Sequence, residues 1–238
     1  MSFDVHNWLE ILTNKLKAEF GQRLLFIGLQ GSYFRGEATE ESDVDVIVVL
    51  ESLSAFDLKC YREIIHSLKD SKKACGFICG KAELEAWPMQ DLFHLFYDSE
   101  AIYGDLCQLV RMPTDEDIRD SIRLESSIIY HIACHSYLYS EDLKVSVEQL
   151  KDSYKKACFI MQQMVYLNTH KYIKTKEELL TYFDKETRDI LYNSIIWDSL
   201  KQDREARPEG YFTRLMEWSS KVLTHYNTYY RWSLAQND

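Results

Sequence analysis

The stretch GSYFRGEATEESDVD, residues 31–45, decides how this chain is interpreted. Two short apolar runs flank it: residues 24–29 precede it, and Val44–Leu50 overlaps its end. Short apolar runs bounded by polar and glycine residues are typical of buried strands. The segment from Gly31 to Ser42 is therefore expected to be a polar loop that joins two strands.

The second predicted strand begins with two carboxylates. Asp43 and Asp45 lie two positions apart, and side chains alternate along a strand, so both are expected on one face of the sheet. Two neighbouring carboxylates repel each other unless a cation neutralises them, and oxygen ligands suit Mg²⁺. Gly31 and Ser32, after the first strand, offer backbone N–H groups and a hydroxyl to an anion. A metal-bound nucleoside triphosphate requires this combination of donors and ligands.

Taken singly, a Gly-Ser pair is typical of a turn and an Asp-x-Asp pair of a solvated strand edge. The combination resembles the signature of the DNA polymerase beta-like nucleotidyltransferases, and it is carried by Gly31-Ser32, Arg35-Gly36, Ala38 and residues 42–45. It is most similar to the small bacterial branch, which includes aminoglycoside and lincosamide nucleotidyltransferases and the minimal nucleotidyltransferases of toxin–antitoxin pairs. The resemblance implies an α/β nucleotidyltransferase domain with a mixed sheet over residues 1–110, followed by an all-α helical bundle domain over residues 111–238.

The resemblance also implies the chemistry. A substrate hydroxyl attacks the α-phosphorus of a nucleoside triphosphate, and pyrophosphate leaves. Gly31 and Ser32 would hold the triphosphate, and Asp43 and Asp45 would be the catalytic ligands of two Mg²⁺ ions. One ion lowers the pKa of the attacking hydroxyl, and the other neutralises the leaving pyrophosphate.

Members of the family supply a third carboxylate from a later strand. The nearest acids after a predicted strand at residues 77–79 are Glu83 and Glu85. Glu85 is preferred as the third catalytic and metal-binding residue, with Glu83 as the alternative. A further alternative leaves both on a loop or helix that is exposed to water, and the site then lacks a ligand.

Arg35 has two interpretations that both stay open. Its guanidinium could bind a phosphate of the nucleotide, or it could pair with a neighbouring carboxylate, Glu37 or Asp43.

The pattern of apolar residues divides the chain near Pro113. Proline disfavours a helix immediately before it, and Thr114 with Asp117 is a helix-start signal. Before this point the pattern predicts strands at 24–29, 44–50, 77–79 and 101–103 and helices at 3–20, 55–69 and 89–97. After it, helices alone are predicted, at 115–140, 146–170, 176–183, 186–202 and 208–232.

Composition limits the partners and the compartment. The 238 residues carry 28 Lys and Arg against 38 Asp and Glu, a net charge of −10, which disfavours general binding to nucleic acid. Residues 1–110 hold 10 basic against 18 acidic residues, a balance that suits a cation site and equally a solubilising surface.

No apolar run reaches the roughly 20 residues of a membrane span, and no signal peptide is evident, so the expected location is cytoplasmic. The six cysteines include no CxxC pair and are expected to be reduced thiols.

Two histidines on the predicted helix 115–140 form a weaker motif. His131 and His135 lie at i and i+4, a spacing that can bind zinc. No acidic or thiol partner occurs at a recognisable distance, so the favoured interpretation is a pair of polar core or pocket histidines.

The function implied by the resemblance is transfer of a nucleoside monophosphate, with AMP favoured, to a hydroxyl of a small-molecule acceptor. A nucleoside triphosphate is the co-substrate, two Mg²⁺ ions are the cofactors, and a homodimer is left open. Two alternatives remain: an antitoxin-type nucleotidyltransferase acting on a protein or RNA partner, and a nucleotide-binding module that has lost catalysis.

Overall fold

The computed structural model describes residues 3–235, and it describes the side chains of residues 3–227. The last three residues of the predicted second domain, 236–238, thus lie outside the described residues. The chain divides into two compact units, with the boundary between Pro113 and Thr114. None of the helices described between residues 3 and 235 combines the length and the hydropathy that a membrane crossing requires.

The first unit is built on a four-stranded sheet. Its strands are β1 (Leu24–Gln30), β2 (Val44–Leu50), β3 (Ala74–Gly80) and β4 (Ser99–Tyr103). They lie in the order β3-β2-β1-β4. β1 is antiparallel to β2 and to β4, whereas β2 is parallel to β3. The predicted mixed sheet is confirmed.

Five α-helices accompany this sheet within the described part of the first unit. They are α1 (Val5–Phe20), α2 (Gly31–Arg35), α3 (Ala55–His66), α4 (Lys81–Glu85) and α5 (Met89–Tyr97). Since successive strand residues point to opposite faces, β2 contributes to two apolar clusters. Val46 and Val48 pack with the apolar side of α1, and Ile47 and Val49 pack with residues of α5. This double burial explains why β2 is almost wholly apolar.

The predicted loop after β1 is partly helical. The expectation of a loop from Gly31 onward is wrong for its first five residues, which form α2. Gly36 ends this helix with a φ of +75°, a left-handed conformation that glycine adopts without steric cost. The Gly-Ser pair therefore begins a helix directly after a strand.

The second unit is helical, as predicted. Its described helices are α6 (Asp115–Tyr139), α7 (Leu143–Ser146), α8 (Lys151–Thr169), α9 (Lys176–Leu179), α10 (Lys185–Ile195), α11 (Lys201–Ala206) and α12 (Pro208–Ala235). α6 packs against both α8 and α12. Thr114 and Asp117 form a capping box at the start of α6, in agreement with the helix-start signal.

A buried aromatic cluster lies in the core of the second unit. The rings of Tyr154 and Trp197 have centroids 5.0 Å apart, and Tyr211 lies edge-on to both. The Arg204 guanidinium stacks 4.2 Å from the centroid of Trp197 and forms two 2.8 Å hydrogen bonds with Glu148. The cluster thus buries the charge of Arg204, whereas its partner Glu148 is 43% exposed.

Candidate active site

Gly31 brings the Gly-Ser pair of the sequence motif into contact with its aspartate pair. The antiparallel pairing of β1 with β2 sets Gln30 opposite Asp45, so the first residue of α2 lies against the Asp45 side chain. A Cβ atom at Gly31 would overlap the Asp45 carboxylate, and the φ of Gly31 is +72°. Both features require glycine at this position.

The first turn of α2 offers main-chain donors beside Asp45. The N–H groups at the start of a helix have no partner within the helix. Gln30, the residue at the N-cap, makes no side-chain hydrogen bond to this turn. The turn at Gly31 and Ser32 can therefore donate hydrogen bonds to an anion.

Side chains that could bind a metal ion lie at the start of β2 and β3. Asp43 comes directly before β2, and Asp45 is its second residue. The parallel register pairs Asp45 with Cys75 on β3. One ligand atom from each of Asp43, Asp45 and Cys75 lies within 4.8 Å of the other two. Within residues 3–227 this is the one group of three His, Cys, Asp or Glu side chains that meets this spacing.

The structure places both candidates for the third carboxylate away from the aspartate pair. Glu83 and Glu85 lie on α4, after the end of β3 at Gly80, whereas Cys75 lies near the start of that strand. At about 3.3 Å per residue, Gly80 is about 17 Å farther along the strand than Cys75. Glu85 is exposed and faces Lys81 at 3.6 Å. The alternative in which both acids lie on an exposed helix is the one observed.

Cys75 is the site residue that the sequence interpretation missed. The predicted strand began at residue 77, so residue 75 was not placed in the sheet. A strand extended by three residues towards its start would have set the thiol opposite the Asp-x-Asp pair.

The surroundings of Cys75 disfavour its charged form. Partial desolvation of the exposed Cys75 raises the pKa of its thiol above the ordinary value, and the neighbouring charges of Asp45 and Asp43 raise it further. A hydrogen bond with the backbone of Gly76 acts in the opposite direction. A divalent cation would reverse this balance, because it favours the thiolate and neutralises the carboxylates. The donor set of two carboxylates and one sulfur therefore fits a divalent cation.

The loop before Asp43 is held in place by hydrogen bonds. Ser42 accepts a 2.9 Å hydrogen bond from the Thr39 backbone through its hydroxyl. The Lys73 ammonium donates to the carbonyl oxygens of Glu40, at 2.5 Å, and Ser42, at 3.1 Å. Since Lys73 immediately precedes β3, these bonds tie the segment before Asp43 to the segment before Cys75.

Arg35 is engaged by two carboxylates. Its Nε donates to Glu37 at 3.0 Å, and its Nη1 donates to Asp98 at 2.6 Å. Burial lowers the pKa of Arg35, but the charges and hydrogen bonds of Asp98 and Glu37 outweigh it and raise this pKa above its ordinary value. The predicted pairing of Arg35 with Glu37 is confirmed. Its second partner, Asp98, is distant in sequence. A contact of Arg35 with phosphate would compete with these pairs.

The histidine pair lies on α6, in the second unit. The rings of His131 and His135 have centroids 5.7 Å apart, and both residues are exposed. Neither belongs to a group of three suitable ligands among the described residues. The prediction that they are core histidines is therefore wrong, because both are exposed.

Comparison with known proteins places the first unit in a family. Residues 9–88 match the model of the nucleotidyltransferase domain. A candidate protein adenylyltransferase of Methanocaldococcus jannaschii is 45% identical over 49 residues, which are 21% of this chain and 33% of that protein. The chain thus matches about a third of the length of this curated relative.

Among solved structures, a spectinomycin adenyltransferase of Enterococcus faecialis, crystallised with ATP and spectinomycin, has a similar fold. The TM-score is 0.51 at 17% identity, over 88% of this chain and 98% of that chain. This likeness extends the agreement in fold beyond the first unit. The family match falls on the segment that carries the Gly-Ser turn and the aspartate pair, and residues 9–88 of this chain accordingly form a nucleotidyltransferase domain.

Proposed function

We propose that this protein is a Mg²⁺-dependent nucleotidyltransferase that moves AMP from ATP to a hydroxyl of a small-molecule acceptor and releases pyrophosphate. The observation that carries the proposal is the direct apposition of Gly31 and Asp45. It sets anion donors of the backbone beside carboxylates that bind a cation. A metal-bound polyphosphate needs both in one place.

The roles of the residues follow from this geometry. Gly31 and Ser32 would donate hydrogen bonds to the triphosphate, and Asp43 and Asp45 would hold the metal. Bound Mg²⁺ would supply charge neutralisation at the polyphosphate and lower the pKa of the attacking hydroxyl. The acceptor oxygen would form a bond to the α-phosphorus. At the same time the bond would break between the α-phosphorus and the oxygen that bridges it to the β-phosphate, and pyrophosphate would leave. Because phosphoryl transfer depends mainly on position and charge, the chain needs no covalent nucleophile.

The choice of a small acceptor has support of two kinds. The spectinomycin adenyltransferase was solved with ATP and spectinomycin, and its fold resembles this chain over 88% of the length. The first 110 residues have 18 acidic against 10 basic residues, which suits a cationic acceptor such as an aminocyclitol.

A protein acceptor is the second candidate. The 49-residue segment that is 45% identical to a candidate protein adenylyltransferase favours it. The same transfer would then modify a hydroxyl of a protein side chain. A third possibility, a nucleotide-binding module without catalysis, is favoured by the absence of a third carboxylate from the described ligand group.

One experiment separates these functions. The full chain is incubated with ATP labelled at the α-phosphate, Mg²⁺ and either a panel of aminocyclitols or a cell extract. Pyrophosphate and labelled products are then measured. We expect label on a small molecule, and a loss of at least about a hundredfold in rate for Asp45→Asn but not for Glu85→Gln.

Label on a protein band would favour the second candidate. ATP binding without pyrophosphate release from any acceptor would favour the module. An Asp45→Asn variant as active as the wild type would refute the metal assignment.

A further inference from the structure

We propose that Cys75 is the third ligand of the metal site and that its sulfur makes the site prefer divalent transition metals, such as Mn²⁺, Co²⁺ and Zn²⁺, over Mg²⁺. This inference rests on the proposed function, which places a cation at Asp43 and Asp45. It goes further by assigning the third donor and the class of metal that the site selects.

The first argument is the strand register. Cys75 is paired with Asp45 across the parallel strands β2 and β3, and paired residues of neighbouring strands point to the same face. One donor atom from each of Asp43, Asp45 and Cys75 lies within 4.8 Å of the others. With metal–ligand distances of about 2.0–2.3 Å, neighbouring ligands of a single divalent ion lie about 3–4 Å apart. Small side-chain rotations therefore bring all three atoms onto one cation.

The second argument is that the backbone around these ligands is fixed. Next to Cys75, Gly76 has a φ of +107°, and a Cβ atom there would overlap the backbone of Val46. The two strands thus approach too closely at this point to admit a side chain. The Lys73 ammonium binds the Ser42 carbonyl at 3.1 Å, just before Asp43. The segment with Asp43 and Asp45 therefore contacts the segment with Cys75 both before and after these ligands.

The third argument is the chemistry of the donors. Carboxylate oxygens are hard ligands that suit Mg²⁺ and Mn²⁺ alike, whereas a thiolate is a soft ligand. Sulfur is a poor ligand for Mg²⁺, and affinity for sites with sulfur rises from Mn²⁺ to Co²⁺ and Zn²⁺. The nearest later acids, Glu83 and Glu85, lie past the far end of β3 and cannot replace the sulfur. A site with two carboxylates and one thiolate should therefore favour transition metals.

The test is a titration of the full chain with Co²⁺ alone, under reducing conditions. Coordination of a thiolate to Co²⁺ gives a sulfur-to-metal charge-transfer absorption in the near ultraviolet. We expect this band in the wild type and in Cys107→Ser, which removes another exposed cysteine of the first unit. We expect it to disappear in Cys75→Ser and in Asp45→Asn.

Metal affinities provide a second readout. Mg²⁺ and Mn²⁺ are titrated separately into the wild type and into Cys75→Asp, which restores a carboxylate at the third position. We expect the preference for Mn²⁺ over Mg²⁺ to fall at least about tenfold in this variant.

The outcomes distinguish this inference from the proposed function. If Asp45→Asn abolishes metal binding while Cys75→Ser keeps the charge-transfer band, the inference about Cys75 is overturned and the proposed function stands. If Asp45→Asn binds Co²⁺ and Mg²⁺ as the wild type does, the metal site of the proposed function itself is refuted. A band that needs both Asp45 and Cys75 supports the inference.

Discussion

A side chain at residue 31 would occupy the space that the Asp45 carboxylate fills. At the scale of single residues, the site therefore depends on a missing Cβ atom as much as on charged groups. Gly36, five residues later, has a similar φ of +75°, but a Cβ atom there would meet open space. The two glycines share a backbone conformation and differ in their neighbours, which makes them a matched pair.

Alanine at these two positions should separate backbone strain from displacement of Asp45. Both Gly31→Ala and Gly36→Ala should lower the free energy of unfolding by about 1 kcal/mol, because alanine disfavours positive φ. Only Gly31→Ala should also weaken metal binding, since it pushes the carboxylate aside. Chemical denaturation and metal titration measure the two effects. Equal metal affinity in the two variants would contradict the close contact of Gly31 with Asp45.

Residue-level prediction from the sequence succeeded where a local rule applies. The two-residue spacing of Asp43 and Asp45 is enough to place both on one side of a strand, and their donors do lie together. The prediction of Glu85 as the third ligand depends on a β3 that continues beyond Gly80, whereas the chain there turns into α4. The pairing of Asp45 with Cys75 depends on strand register, which a single sequence does not encode locally.

At the scale of elements, an ion pair between Arg23 and Asp57 stabilises the start of α3. Asp57 forms a capping box with Ser54 and accepts hydrogen bonds from Arg23 at 2.7 and 3.2 Å. Only 4% of the Asp57 side chain is exposed. The hydrogen bonds from Arg23 hold the pKa of Asp57 well below its ordinary range, and those of Ser54 lower it further.

This lowered pKa makes stability depend on pH. The folded state binds a proton at Asp57 less readily than the unfolded state, so the carboxylate stabilises the fold above the ordinary Asp pKa of about 4. That contribution is lost as the pH falls through and below this value. We expect the melting temperature of the wild type to fall more steeply between about pH 5 and pH 3 than that of Asp57→Asn.

Arg23→Met provides the control for this pH effect, because it removes the largest cause of the shift while keeping the carboxyl group. Its melting temperature should depend on pH less steeply than that of the wild type. Identical pH profiles of the wild type and both variants would contradict a role for the Arg23–Asp57 pair.

Element boundaries in the second unit show a limit of periodicity. The sequence predicts one helix over 146–170, but the structure has a 3₁₀ turn at Val147–Leu150 before α8 begins. Val147 and Leu150 are both fully buried. Residues three apart lie on the same side of a 3₁₀ turn, so this turn buries both side chains, and tertiary packing rather than local spacing decides it.

At the scale of the whole molecule, the two units are supported by different evidence. The family match, residues 9–88, lies entirely within the first unit, which ends at Pro113. For the second unit the agreement with a solved structure is one of fold. The helical character of the second unit could be predicted from its apolar spacing. The ion pair of the buried Arg204 with Glu148 could not, because the two residues are far apart in sequence.

The pair of Arg204 with Glu148 should stabilise the second unit without affecting the metal ligands, which lie in the first unit. The Arg204 side chain is 2% exposed, and its loss would leave Glu148 without the guanidinium that lowers the pKa of its carboxyl group. We expect Arg204→Met to lower the free energy of unfolding by about 2 kcal/mol, because it removes the charge-assisted hydrogen bonds of the buried guanidinium. Arg207→Met is the control, because that side chain is 77% exposed and its pair with Asp203 should contribute at most about 1 kcal/mol.

Thermal and chemical denaturation measure these losses, and metal titration is the second readout. Metal affinity under native conditions should stay that of the wild type in both arginine variants, since the ligands lie in the first unit. A similar small loss of stability in both variants would contradict the importance of the Arg204–Glu148 pair.

The most direct measurement is calorimetric binding of a non-hydrolysable ATP analogue to the full chain, with a divalent cation or with a chelator. We expect binding that requires the cation and that weakens at least about tenfold in Asp45→Asn, while Glu85→Gln binds as the wild type does. Equal affinity with the chelator, or in Asp45→Asn, would contradict a nucleotide held through metal at the aspartate pair.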